Sequence, residues 1–580
     1  MSKNIEPEKN PEFEGFDELV EKILQDWKVP GVGIAVVKGT EVVLAKGYGY
    51  KNLEKKEPVD AETIFAIGSS SKAFASMAVA LLVDQGKLEW DKPVRDFMPS
   101  FKLHDPFASE RMSPRDLLCH RSGLPRHDLM WYSSSLNRKE LYERLRYLEP
   151  SRDFRTHFQY QNLMYMTAGY LVEYVSGKTW EEFTDEHVFK KLGMLRSNFS
   201  VEDSKKSQNS ALPYTKEKDN VKEIPFRNID AVGPAGSINS SVADMAKWVI
   251  AHINEGKYGD EQIISKANLV QMHTPTIPIP GSFMPGLEDI KELGDMSYGL
   301  GWMVQPYRGH RLIHHGGNID GFSALVSFMP DDGLGVVVLT NMNSTFSTFP
   351  ITLNVYDRLL GLDQMELNEK FLTLIQRLEE AGEKAREKSS ERRRQGTSPS
   401  HPLEEYAGSY EHPGYGPFMV ELTDGTLVGK YNALTFKLDH YHFDIFEAVN
   451  VEEEDMRMKI SFHTDTEGNI GSLSAPMDGN VKDIVYARVA SDEMRQKDFL
   501  VQFVGKYRFL ETQILEVVLK EDTLAVAMMN APEMLLEPYK NTEFKIKGAP
   551  ASIEFKIVDG KVVGADLLQG GAVFNAEKIE

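Results

Sequence analysis

Strand-forming runs sit at both ends of the segment 31–341, and helix-forming runs lie between and before them. Near the N-terminus, "VGIAVVKGTEVVLAKGYG" places two β-branched runs on either side of Lys38, Gly39 and Thr40, a hairpin pattern. Far downstream, "RLIHHGG", "FSALVSFMP" and "LGVVVLTN" read as three strands, with Asp331, Asp332 and Gly333 turning between the last two. Phe16, Leu19, Val20, Ile23, Leu24 and Trp27 recur at helical spacing ahead of the hairpin. "SSVADMAKWVIAHINEG" is a further helix with a serine cap and Asp244 in its first turn. Strands that are remote in the chain and separated by helices close into one sheet, which makes the class α/β.

Downstream of this segment the pattern changes. Phe371, Leu374, Ile375 and Leu378 form one stripe on a charged helix, which runs into the polar linker "KSSERRRQGTSPSHP". Beyond the linker the chain repeats itself. "LEEYAGSY" at 403–410 matches "LVQFVGKY" at 500–507, and "LTDGTL" at 422–427 matches "LKEDTL" at 519–524. Each copy closes on a similar strand, "VYARV" or "FNAEKI". Short strands with Gly/Asp turns predict two small antiparallel β-barrels or sandwiches.

Charge and cysteine content narrow the function. The 580 residues carry 66 basic and 87 acidic side chains, a net charge of −21 that repels nucleic-acid backbones. The single cysteine, Cys119, allows no intrachain disulfide. "MSKNIEPEKNPEFEGF" has no apolar run of signal-peptide length, and no window reaches the roughly 18 apolar residues of a membrane span. The expectation is a cytoplasmic protein without nucleic-acid or membrane partners.

Three short stretches can carry chemistry. "FAIGSSSKAFASMAVALLVDQG" predicts an apolar helix over Phe65–Gly86 that opens with three serines and a lysine. Ser69 and Lys72 share a helix face, and an amine desolvated there can accept the proton of a hydroxyl. The bland alternative is a capping serine. "FQYQN" places Tyr160 and Asn162 on one side of a loop or helix start, where a nearby ammonium would make the phenol more acidic. "HHGGNIDG" puts His314 and His315 beside Gly316 and Gly317, small residues that let a substrate backbone approach. Metal binding by His310, His314 and His315 lacks carboxylate or cysteine partners at ligand spacing, so no metal or cofactor is expected. Cys119, His120 and His127 carry no sign of an activated thiol.

The order of S-x-x-K, Y-x-N and H-x-G resembles the serine β-lactamase and penicillin-binding-protein superfamily, especially its class C β-lactamase-related esterases and D-stereospecific aminopeptidases. "MSPRDLLCHRSGLP", "AGYLVEYVSGKTWEEF" and "GPAGSINSSVADMAKW" extend the resemblance over roughly 15–365. It implies a β-lactamase-like sandwich, a central antiparallel sheet flanked by helices, at 1–365. A helix and linker follow at 366–400, then lipocalin-like barrels at 401–491 and 492–580. It also implies Ser69 as the acyl-forming nucleophile, with Lys72 and Tyr160 sharing general-base work and Asn162 positioning substrate. His314, His315 and Gly316 occupy the places of a Lys-[Ser/Thr]-Gly triad. The N–H groups of Ser69 and Gly317 would form the oxyanion hole.

Histidine in place of that lysine removes a permanent cation, which disfavours substrates with a free carboxylate and favours neutral esters, amides or peptides. The expected activity is acyl transfer to Ser69 followed by hydrolysis of a small-molecule or peptide substrate. The alternatives are an acyltransferase using the same serine and a non-catalytic ligand sensor. A homo-oligomer is compatible with all three.

Overall fold

The computed structural model describes residues 11–217, 220–284, 286, 290–466, 468–509, 513–528 and 532–580. The chain divides into two compact units, 1–392 with 478–481, and 393–477 with 482–580.

The first unit is built on a nine-stranded sheet. Its strands are β1 (Gly31–Lys38), β2 (Glu41–Asn52), β3 (Glu57–Pro58), β4 (Ile277–Pro278), β5 (Ser297–Tyr298), β6 (Met303–Tyr307), β7 (His310–Ile319), β8 (Phe322–Met329) and β9 (Leu334–Thr340). They lie in the order β4-β5-β6-β7-β8-β9-β1-β2-β3. The chain ends meet where β1 pairs with β9, from Val32 opposite Thr340 to Lys38 opposite Leu334. Both strands are buried almost throughout, so each reads as a continuous apolar run.

Helices cover the two faces. Val32, Ile34 and Val36 of β1 pack with α1 (Phe16–Trp27) and with Ile351, Val355 and Tyr356 of a later helix, Thr348–Leu359. The opposite face of the same strand pair includes Gly33, Ala35 and Gly335. A Cβ on Gly33 would lie 3.1 Å from Val242, and one on Gly335 only 2.2 Å from Val249. Those glycines let the helix Val242–Ile253 settle directly on the sheet. The helix Leu367–Glu391 docks Leu367, Phe371 and Leu374 into the same core as α1, as its apolar stripe predicts.

One element differs from the sequence expectation. The segment 65–86 is not helical from its start. Phe65 and Ala66 pair with Asn239 and Ser240, and Gly68–Ser71 form a 3₁₀ turn. The α-helix, α2, runs only from Lys72 to Asp84. Gly68 breaks the run, because it adopts φ +50° and a Cβ there would meet the Asn318 backbone nitrogen at 2.8 Å. Residues 72–82 of α2 are buried on every side, which explains why the helix carries no polar stripe.

The second unit holds two closed eight-stranded barrels, with strands spanning 408–489 and 505–578. The sequence repeat is a repeat of contacts. The Tyr410 hydroxyl donates to the Tyr406 carbonyl at 2.8 Å, and the Tyr507 hydroxyl donates to the Phe503 carbonyl at 2.7 Å. The two matching strands close each barrel, with Ser409 opposite Val489 and Tyr507 opposite Lys578. Among the described residues no helix is long and apolar enough to cross a membrane.

Candidate active site

The 3₁₀ turn before α2 separates the roles of the three serines. The Ser70 hydroxyl donates to the His315 carbonyl at 3.0 Å, tying the turn to β7. The Ser71 hydroxyl accepts from the Ile238 N–H at 3.1 Å. Both are buried anchors, whereas Ser69 is part-exposed and lines a cavity of about 340 Å³.

Lys72 has no exposed surface, and its Nζ has three oxygen neighbours. They are Ser69 Oγ at 3.0 Å, Asn162 Oδ1 at 2.7 Å and the Ala235 carbonyl at 2.8 Å. Burial first, and then the charge of Arg126, hold its pKa well below the usual lysine value. A neutral amine has two hydrogens and one lone pair. A carbonyl and an amide oxygen can only accept, so they take both hydrogens and leave the lone pair facing the Ser69 hydroxyl. The Asn162 amide is held in the required orientation from its other end. Its Nδ2 donates to Asp128 Oδ1 at 2.9 Å, which leaves Oδ1 for the lysine.

Tyr160 precedes the helix that Asn162 opens, Asn162–Ser176, and Gln161 caps that helix. Lys72 Nζ lies 4.8 Å from the centroid of the Tyr160 ring, and Phe283 stacks on the ring with centroids 5.6 Å apart. The phenol pKa is raised. Burial outweighs the interaction of its hydroxyl with Ser69, which favours the phenolate. The expected acidification by a neighbouring ammonium is therefore reversed, because the same burial that disfavours the phenolate disfavours the lysine cation. Near neutral pH the phenol keeps its proton and can donate it.

The histidines of β7 behave differently from one another. His315 is buried with both ring nitrogens engaged, Nδ1 on the Gly316 carbonyl at 2.6 Å and Nε2 with the Tyr298 hydroxyl at 2.9 Å. A carbonyl only accepts, so Nδ1 carries the hydrogen and Nε2 accepts from Tyr298. His314 also lines the cavity, yet both its ring nitrogens are buried without a hydrogen-bond partner. Burial lowers its pKa to about 4, and burial followed by the Lys72 charge lowers that of His315 to about 3. Both are neutral imidazoles at pH 7.

Gly317 passes against the serine turn. A Cβ there would lie 1.8 Å from the Ile67 carbonyl oxygen and 3.0 Å from the Ser69 nitrogen. This close approach brings the Ser69 and Gly317 backbones together. A Cβ on Gly316 would meet only the Ala324 carbonyl oxygen, at 3.6 Å.

Arg126 and Asp128 join the site without a sequence signal. They follow "HRSGLP" as an ordinary charged pair, and only folding brings Asp128 to Asn162 across 34 positions of chain. Ala235 contributes through its carbonyl, which no side-chain pattern reveals. Among the described residues no cluster of three His, Cys, Asp or Glu side chains could hold a metal ion. Cys119 is buried, and its pKa is pushed up to about 12 by that burial, so the thiol is inert.

The sandwich, with Ser69 on the turn that leads into a central buried helix, Lys72 at that helix's first position and H-x-G on the facing strand, defines the class: a β-lactamase-like fold followed by two barrels. The family model described as Beta-lactamase matches residues 16–354, and the chain belongs to that family. A model described as Domain of unknown function (DUF3471) matches 392–488. The chain is 30% identical over 477 residues to Unguisins hydrolase ungD of Aspergillus violaceofuscus, covering 75% of this chain and 82% of the relative. It is 29% identical over 448 residues to Unguisins hydrolase ungD' of Aspergillus campestris, covering 72% and 79%. Among solved structures, the octameric penicillin-binding protein homologue from Pyrococcus abyssi superposes with a TM-score of 0.53 at 24% identity, covering 82% of this chain and 99% of that one. The family and its hydrolase relatives make this chain a hydrolase of the beta-lactamase family.

Proposed function

We propose that the protein hydrolyses esters, amides or small peptides through an acyl-enzyme on Ser69. The observation that carries this reading is the contact between Lys72 Nζ and Ser69 Oγ at 3.0 Å, made by a lysine with no exposed surface. Lys72 takes the hydroxyl proton as Ser69 Oγ attacks the acyl carbon. The developing oxyanion is held by the N–H groups of Ser69 and Gly317. Tyr160, protonated and beside Ser69, passes a proton to the leaving atom. Water then attacks the acyl-enzyme, and the same groups run the sequence in reverse. His314 offers one donor and one acceptor to the substrate, and Phe283, Met303 and Phe349 give the cavity an apolar wall. Two relatives named as hydrolases of unguisins support hydrolysis over transfer to another acceptor.

A fluorophosphonate probe tests the reading. The wild type is labelled on Ser69, and Ser69→Ala is not. An unlabelled wild type that turns over no 4-nitrophenyl ester would assign the pocket to ligand binding alone.

A further inference from the structure

The motif on β7 offers no cation, but the opposite wall of the same cavity does. Arg126 lines the cavity with Ser69, Tyr160 and His314. Its guanidinium is fixed on two sides. The Nε donates to Asp128 Oδ2 at 2.5 Å, and the guanidinium carbon lies 5.2 Å from the centroid of the Tyr160 ring. Asp128 is itself held by the Trp131 indole N–H at 2.9 Å and by Asn162. Half of the Arg126 side chain is exposed, and among the described residues its two Nη groups have no hydrogen-bond partner. Asp128 and Asp478 add negative charge around it, and only Asp128 takes one of its donors. The orphaned nitrogens of His314 show independently that this cavity is built to receive a polar ligand group.

We infer that Arg126 is a specificity-determining residue that recognises a carboxylate on the substrate, in either its acyl or its leaving half. The inference rests on the acyl-enzyme reading above. A guanidinium with a vacant Nη edge matches the two oxygens of a carboxylate, and stacking with the Nε bond holds that edge in place before binding. The cation absent from β7 is thus supplied from the loop before Asp128. On this inference the substrate carries a carboxylate, the opposite of the preference expected from His314 alone.

The test compares matched esters on the full chain. One pair is 4-nitrophenyl hydrogen glutarate and 4-nitrophenyl pentanoate. The other is 3-carboxyphenyl and 3-carbamoylphenyl pentanoate. The expected result is a higher kcat/KM for the charged member of at least one pair. That ratio falls about tenfold or more in Arg126→Gln, the size of one charge-assisted contact, and is partly kept in Arg126→Lys. In the wild type the ratio is also compressed by added salt, a readout that needs no variant to fold. A ratio at or below one for both pairs, or one that Arg126→Gln leaves within twofold, overturns the inference. Failure of the acyl-enzyme reading looks different: neither member of either pair is hydrolysed and Ser69 is not labelled.

Discussion

Lys72 faces Ser69 at 3.0 Å from a position sealed off from solvent, and the residues that seal it decide its protonation state. Burial makes the amine a base, and two acceptor-only oxygens aim its lone pair. Lys72→Ala should therefore lower kcat on a neutral ester by about 10²–10⁴-fold, the range for a lost general base, with a smaller change in KM. Steady-state kinetics on 4-nitrophenyl pentanoate measures this, and an effect under tenfold would remove the lysine from the mechanism.

The pH profile follows from the same burial. A base works when unprotonated, so kcat/KM rises with pH through the pKa of Lys72, which lies well below the ordinary lysine value. Asp128 raises that pKa, so Asp128→Asn should move the rising limb to lower pH as well as reduce the rate. A limb at the ordinary lysine pKa, or one that Asp128→Asn leaves in place, contradicts the assignment.

The glycines of β7 make a steric prediction. Gly317→Ala forces a methyl group to 1.8 Å from the Ile67 carbonyl, so the serine turn or the strand must shift. A cost of about 1–3 kcal/mol is expected, with loss of oxyanion geometry and of activity. Gly316→Ala meets only an ordinary contact at 3.6 Å, and its unfolding midpoint should stay close to that of the wild type. Differential scanning calorimetry of the two variants separates the cases, and equal midpoints would mean the close approach is wrong.

A buried histidine pair links stability to pH. His252 Nδ1 lies 2.9 Å from His273 Nε2 inside an aromatic shell that includes Trp302 and Phe328. Burial lowers His252 well below its usual range and His273 to about 3. The unfolded chain takes up protons below about pH 6.5 and the folded chain does not, so stability falls as pH drops through that value. Between pH 7 and 5.5 the wild type should lose about 2 kcal/mol more than His252→Leu/His273→Leu, judged by urea unfolding at both pH values. Equal losses would show that the pair takes up protons in the folded state.

The barrel repeat predicts matching costs. Tyr410→Phe and Tyr507→Phe each remove a buried hydroxyl bond to a carbonyl four residues earlier, worth about 1 kcal/mol. Chemical denaturation followed by tyrosine fluorescence should show losses of similar size, and a cost confined to one copy would mean the contacts are not equivalent.

The sequence by itself determined the backbone plan. Periodicity and turn chemistry act over a few residues, so the hairpin at Gly39, the strands of 310–340, a helix within Phe65–Gly86 (though not its start at Lys72) and the offset that relates Tyr410 to Tyr507 were all legible. The residue types of S-x-x-K and Y-x-N were legible for the same reason. Their electrostatics were not. The depth of the Lys72 pKa depression, the raised pKa of Tyr160, the division of labour among Ser69, Ser70 and Ser71, and the contrast between His314 and His315 all depend on burial and on partners far away in the chain. Asn162 and Ala235 reach Lys72 across 90 and 163 positions. Only the tertiary structure decided those, because desolvation and hydrogen-bond partnership belong to the surroundings that folding assembles, and no local pattern encodes them.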